Sequence, residues 1–192
     1  MRIVGGEWRG RRLRFVAVEG LRPTSDRVRE TLFNWLSPVI AGARCLDLFA
    51  GSGALGIEAL SRGAAEAVFV ERHPNAVQCL LKNLQALGAI NPRVEQMDAL
   101  KWLRSGARPF DVVFLDPPFG QGLLAPACLA LETGGWLAPA ARVYLETMKN
   151  EAVTVPDNWE MVRDKAAGRV AYRLAMRRDV PSLRDNSESK SL

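Results

Sequence analysis

The chemistry of this chain is concentrated in a few acidic residues and two punctuated loops. Asp47 interrupts a short apolar run, Cys45-Leu46 and Leu48-Phe49, and three glycines follow at Gly51, Gly53 and Gly56. Glu71 ends a second apolar run, Ala67-Val68-Phe69-Val70, and Asp98 follows a third β-prone stretch, Arg93–Met97. Glycines at these positions let the backbone approach a ligand with no Cβ in the way. Gly51-x-Gly53-x-x-Gly56 fits the dinucleotide fingerprint, and Glu71 stands where the acid that accepts two ribose hydroxyls is expected. The spacing therefore implies an adenosine ligand. Asp98 is placed to accept from an adenine amino group, to cap the helix after it, or to do both.

Asp116-Pro117-Pro118-Phe119 decides what is done with that ligand. Two prolines after a strand fix a rigid loop and turn the Pro117 carbonyl outward. Asp116 adds a second acceptor and Phe119 a ring face. Two acceptors and a stacking ring hold a planar exocyclic amine, with its nitrogen aimed at an electrophile.

These groups need an α/β sheet to position them. A buried strand, a tight glycine turn and a helix opening at Leu55 form the first βα unit of a Rossmann-like fold. The glycine loop meets the positive end of that helix, which Gly63 is placed to end. A second helix is expected from Pro74 to Leu87, with Pro at its first turn, Val77, Leu80, Leu81 and Leu84 on one face, and Gly88 after it. Asp111–Leu115 reads as the most buried strand. A helix around Leu123–Leu131, a Gly134-Gly135 turn and a strand at Arg142–Thr147 follow. Trp159–Arg163 and Arg169–Met176 read as late antiparallel strands closing one sheet edge. His73, the only histidine, has no partner in the sequence and reads as a ligand-adjacent surface residue.

The chain has 192 residues, 48% of them hydrophobic, enough for one core. It contains no run long enough for a membrane span and no signal-peptide pattern, so a soluble cytoplasmic protein is expected. Cys45, Cys79 and Cys128 lack metal-ligand spacing and read as buried reduced thiols; no metal site is expected. The formal net charge is +5. All of that excess falls in residues 1–29, where Arg2, Arg9, Arg11, Arg12, Arg14, Arg22, Arg27 and Arg29 face only Glu7, Glu19 and Asp26. Such a segment is the electrostatic footprint of a nucleic-acid contact surface. Arg2–Val4 and Arg9–Val16 read as a hairpin turned at Gly5-Gly6, its second strand presenting an arginine face. Trp8 is placed either to stack on a base or to cover the hairpin's own core. A helix follows from Thr24-Ser25-Asp26 to about Leu36, and Arg27 and Arg29 are expected to extend the basic surface. The domain reading is a basic hairpin and helix at 1–38, a catalytic domain at 39–178 and a disordered tail at 179–192.

Asp47, Gly51-x-Gly53, Glu71, Asp98 and D-P-P-F together resemble the class I S-adenosylmethionine-dependent methyltransferases that act on exocyclic amines. The blocks R-I-V-G-G-E-W-R-G-R-R-L, L-R-P-T-S-D-R-V-R-E-T-L-F-N-W-L and D-L-F-A-G-S-G-A-L-G-I-E-A-L-S-R-G narrow this to the RsmD family of bacterial 16S rRNA guanine-N2 methyltransferases. The resemblance covers nearly all of residues 2–178. It implies a seven-stranded, mostly parallel sheet with the last strand antiparallel. It also implies one guanine of 16S rRNA as target, in a partly assembled small subunit; a monomer without a membrane partner is expected. By that resemblance Gly51, Gly53, Glu71 and Asp98 hold S-adenosylmethionine and Asp47 orients its methionine part. Asp116, the Pro117 carbonyl and Phe119 hold the guanine amine, and Arg9, Arg11, Arg12, Arg14 and Arg22 face the RNA. The sequence leaves open whether Asp116 also takes the surplus proton.

Two rivals stand beside this reading. An adenine-N6 methyltransferase is disfavoured by Asp116, because an ionised carboxylate only accepts, whereas Asn would both donate and accept. A nicotinamide-dependent oxidoreductase would use the glycine motif but has no role for D-P-P-F or the basic N-terminus.

Overall fold

Apolar strands at the centre of a sheet must be covered on both faces, and that requirement shapes this molecule. In a computed structural model, residues 1–15, 24–90 and 92–179 are described. Seven strands form one sheet: β1 (Arg44–Asp47), β2 (Glu66–Glu71), β3 (Arg93–Gln96), β4 (Phe110–Leu115), β5 (Leu137–Met148), β6 (Trp159–Ala167) and β7 (Val170–Arg177). Their order is β3-β2-β1-β4-β5-β7-β6. The first five run parallel, and β7 is antiparallel to both β5 and β6. The expected sheet, including its antiparallel last strand, is what the chain forms.

Helices α1 (Asp26–Leu36), α2 (Ala54–Ser61) and α3 (Pro74–Leu87) accompany one side of the chain's core; α4 (Ala99–Trp102) and α5 (Leu124–Thr133) accompany the other. Alternate strand residues feed the two cores. Cys45, Phe69, Phe114 and Tyr144 join the first; Leu46, Val68, Val70, Val113 and Leu145 join the second. Helix α3 begins at Pro74 and is closed by Gly88 in the left-handed conformation, as its sequence punctuation requires. Strand β5 starts five residues earlier than Arg142, because Leu137 pairs with Phe110 across a register shift. The three cysteines are buried and unbridged.

The N-terminal segment departs from its sequence reading. The hairpin is short: one antiparallel bridge, Arg2 to Arg12, with backbone hydrogen bonds from Ile3 to Arg11, Leu13 to Met1 and Gly10 to Ile3 joining its arms. Nearer its turn the backbone bonds to α2 instead. The amides of Val4 and Gly5 donate to the Glu58 carboxylate at 2.9 and 2.8 Å, and those of Glu7 and Trp8 donate to Ser61. Trp8 is half-buried against the core, so packing rather than an open stacking surface is what it provides. Arg29 does not extend the basic surface. It is fully buried, donating to Glu58 at 3.3 Å and to Asp26 and the Arg2 carbonyl at 2.7 and 2.6 Å. Glu58, itself fully buried, also accepts from Arg62 at 2.9 Å. Arg22 and the polar tail from residue 180 lie outside the described residues.

Removing one partner of a buried ion pair strands the other charge, which typically costs about 3–5 kcal/mol. Glu58→Ala should therefore lower unfolding free energy by about that amount in urea titrations. A loss below about 1 kcal/mol, the scale of an exposed pair, would show that this network does not anchor the segment.

Candidate active site

The sequence-marked residues converge at the carboxyl ends of β1, β2 and β4. Ligands of doubly wound sheets bind at such ends, where the strand order reverses; here β1 is flanked by β2 and β4. The loop after β1 turns tightly, with Gly51 and Gly53 at positive φ and the Gly53 amide donating to the Ala50 carbonyl at 2.7 Å. The third glycine serves packing instead. A Cβ on Gly56 would meet the Phe69 ring at 2.3 Å, so its absence lets α2 lie on the sheet.

Two carboxylates clamp this loop from either side. Glu71 accepts from the Gly51 amide at 2.8 Å with one oxygen and from the His73 amide at 2.7 Å with the other. Asp47 accepts from the Gly56 amide at 2.9 Å, in the first turn of α2. Burial pushes Asp47 up to about 7; the Gly56 amide opposes that shift, and the nearby Glu71 charge adds to it. Glu71 and Asp98 line one cavity together with Phe49, Met97, Ala99 and Pro118. Asp98 caps α4, accepting from the Lys101 amide at 3.0 Å, and its placement on the cavity wall leaves the adenine role available as well. His73 lines the same cavity.

Asp116 follows β4 directly, with Pro117 buried and Phe119 half-buried beside it. It does not stand alone. Its carboxylate accepts from the Thr24 hydroxyl at 3.2 Å, and the same hydroxyl lies 3.4 Å from Glu146 on β5. The Tyr144 hydroxyl donates to Glu146 at 2.7 Å. Burial holds the Asp116 carboxyl well above the usual range; Glu146 and Asp47 raise it further, while the Thr24 bond works against them. Thr24, Tyr144 and Glu146 were not singled out from sequence. The available signal was the polar pair Tyr144-x-Glu146 inside an otherwise apolar strand, two residues apart and so on one face.

The arginines divide. Arg11 is exposed, yet its guanidinium donates to the Ala86 and Leu87 carbonyls at the end of α3, where a cation complements the helix dipole. It fastens the N-terminal segment to that helix. The exposed side chains of Arg9, Arg12 and Arg14 make no hydrogen bond or ion pair to another described residue. Among the described residues no cluster of His, Cys, Asp and Glu is arranged to hold a metal, and no helix is long and apolar enough to cross a membrane.

A seven-stranded sheet of this order, with acidic side chains gathered around a glycine loop and a D-P-P-F turn at its carboxyl edge, defines a class I methyltransferase. The family model described as conserved hypothetical protein 95 matches residues 1–176. Ribosomal RNA small subunit methyltransferase D of Escherichia coli strain K12 is 54% identical over 178 residues, covering 92% of this chain and 90% of its own. The protein of the same name from Haemophilus influenzae is 47% identical over 179 residues, covering 91% and 92%. A solved structure of Escherichia coli yhhF superposes with a TM-score of 0.86 at 51% identity, covering 93% of this chain and 98% of that one. The chain belongs to this family, the RsmD family.

The titration of Asp47 yields a sign that can be tested. Its folded value, about 7, lies above the ordinary 3.8. The native state therefore binds more protons between those values, and stability from this group is present at low pH and lost as pH rises through about 7. Asp47→Asn should flatten that fall between about pH 4 and about pH 7 in a series of melting curves. A slope identical to wild type would show that Asp47 ionises without penalty.

Proposed function

We propose that the chain transfers a methyl group from S-adenosylmethionine to the exocyclic N2 amine of a guanine in 16S rRNA, within a partly assembled small subunit. The observation that carries this reading is the position of Asp116, an acceptor at the strand-β4 end, beside the glycine loop and next to the cavity that Glu71 and Asp98 line. The names of the relatives support the RNA substrate. When bound, S-adenosylmethionine supplies an electrophilic methyl group on a positively charged sulfur. The residues present fit such a group. Asp47, Glu71 and Glu146 are buried and Asp116 half-buried, and none forms an ion pair with a described Lys or Arg, so a cationic ligand would offset their charge.

Within that reading, Glu71 accepts from the ribose hydroxyls. Its oxygens each hold one backbone donor and retain a lone pair for a second. Asp98 faces the adenine, Asp47 the methionine part, and the backbone of Gly51 and Gly53 underlies the ligand. Asp116 and the Pro117 carbonyl accept from the guanine amine, and Phe119 stacks on the base. Guanine's edge offers N1–H and N2–H₂ together, which an acceptor-only carboxylate suits. Engaging both amine hydrogens holds the nitrogen lone pair toward the methyl group, so catalysis is mainly positioning. A paired guanine would first have to leave its stack. Arg9, Arg12 and Arg14 face phosphates, while Arg11 holds the segment in place. A protein acting on small-subunit RNA would work in the bacterial cytoplasm, and we read it as a monomer without a membrane partner.

Asp116→Asn keeps the shape but puts an NH₂ where an acceptor stood. Methyl transfer to small-subunit particles from cells lacking the enzyme should fall at least about a hundredfold, with S-adenosylhomocysteine affinity nearly unchanged. Near wild-type turnover would remove Asp116 from the amine site. Replacing Arg9 and Arg12 together with Ala should flatten the salt dependence of RNA binding by roughly one unit of slope per lost phosphate contact. An unchanged slope would assign both residues to something other than RNA.

A further inference from the structure

We propose that Glu146 and Thr24 are positioning residues for the reaction, acting through Asp116 as a carboxylate pair bridged by one hydroxyl. The proposal rests on the amine-accepting role of Asp116 given above.

The geometry is specific. Thr24 Oγ1 lies 3.2 Å from Asp116 Oδ2 and 3.4 Å from Glu146 Oε2. A threonine hydroxyl has one hydrogen to give, so it satisfies one carboxylate at a time. Glu146 already receives the Tyr144 hydroxyl at 2.7 Å on the same oxygen. Thr24, Glu146 and Tyr144 are buried and Asp116 is half-buried, so solvent reaches the pair only from the Asp116 side. Around Asp116 the facing groups are Asp47 from β1, Thr24 from the segment before α1, and Glu146 from β5; around Tyr144, Tyr172 from β7 is added. None of these is a cation. Two carboxylates so placed compete for ionisation, as in any closely spaced pair.

The consequence concerns the proton that the amine must lose on methylation. The N–H bonding electrons stay on nitrogen and the proton passes to a carboxylate oxygen of Asp116, forming an O–H bond. An isolated carboxylate is a weak acceptor near neutral pH. A neighbouring negative charge raises its proton affinity toward the working pH, where acid–base catalysis is most effective. Glu146 supplies that charge. Thr24 opposes it by donating to the ionised form, and it fixes the direction of the Asp116 carboxylate.

Two substitutions should therefore move the same titration in opposite directions. Glu146→Gln removes the charge and keeps the shape; the acid limb of the kcat–pH profile should move down by about one unit. Thr24→Val removes the donor; the limb should move up by a similar amount, about one unit, and Thr24→Ser should restore it. The same shifts should be visible without turnover, as the ¹³C titration of the Asp116 carboxyl in the free protein, assigned by its loss in Asp116→Asn. Reduced turnover with both the limb and the carboxyl titration unmoved would overturn the proposal and leave these residues a packing role. Failure of the underlying reading would look different: Asp116→Asn would stay active whatever Glu146 does to the carboxyl titration.

Discussion

Three buried carboxylates and a half-buried one, Asp116, stand along one edge of a single sheet, and the way each is compensated organises this structure. Asp47 and Glu71 are held by backbone amides of the glycine loop and its flanks. Asp116 and Glu146 are held by hydroxyls. Burying a carboxylate without a counter-charge is costly unless hydrogen bonds or protonation relieve it. Dipoles supply only part of that relief, which is why Asp47 is raised to about 7 and Asp116 well above its usual range. The edge is thus built short of positive charge. A cationic ligand would answer that shortage.

Glu58 shows the contrasting solution. It is as deeply buried as any of the four, yet it receives Arg29, Arg62 and two backbone amides. That complete set makes it an anchor rather than a reactive group. What it anchors is the N-terminal segment, whose Ile3 and Leu13 belong to the same core as Phe69 and Phe114. The segment is more than a basic appendage, because it leads to Thr24 at the edge of the active site. Exposed arginines and a residue touching Asp116 stand within one short stretch of sequence, Arg9 to Thr24.

The sheet was legible because its signals are local. Pro74 and Gly88 mark both ends of α3, and the apolar runs before Asp47, Glu71 and Asp116 mark three central strands. The glycine loop and D-P-P-F are each short contiguous motifs, so their places at the strand ends could be read from the sequence. What escaped was non-local. Thr24 meets Asp116 across 92 residues and Glu146 across 122; in sequence it is one of three cap-like residues, of which Ser25 takes the capping role. Arg29 looked like surface charge because its partner Glu58 lies 29 residues away on another helix. Only the length of the hairpin was overread: its arms are joined around Arg2 and Arg12, while the amides of Val4, Gly5 and Trp8 nearer the turn bond to α2.

The central claim is that this edge of the sheet methylates the N2 amine of guanine in small-subunit RNA. The most direct test is to incubate the purified protein with labelled S-adenosylmethionine and small-subunit particles from cells lacking the enzyme, then digest the RNA and identify the labelled nucleoside by mass spectrometry. The account predicts N2-methylguanosine as the labelled product. Label in N6-methyladenosine, or in a guanosine methylated at another atom, would contradict it.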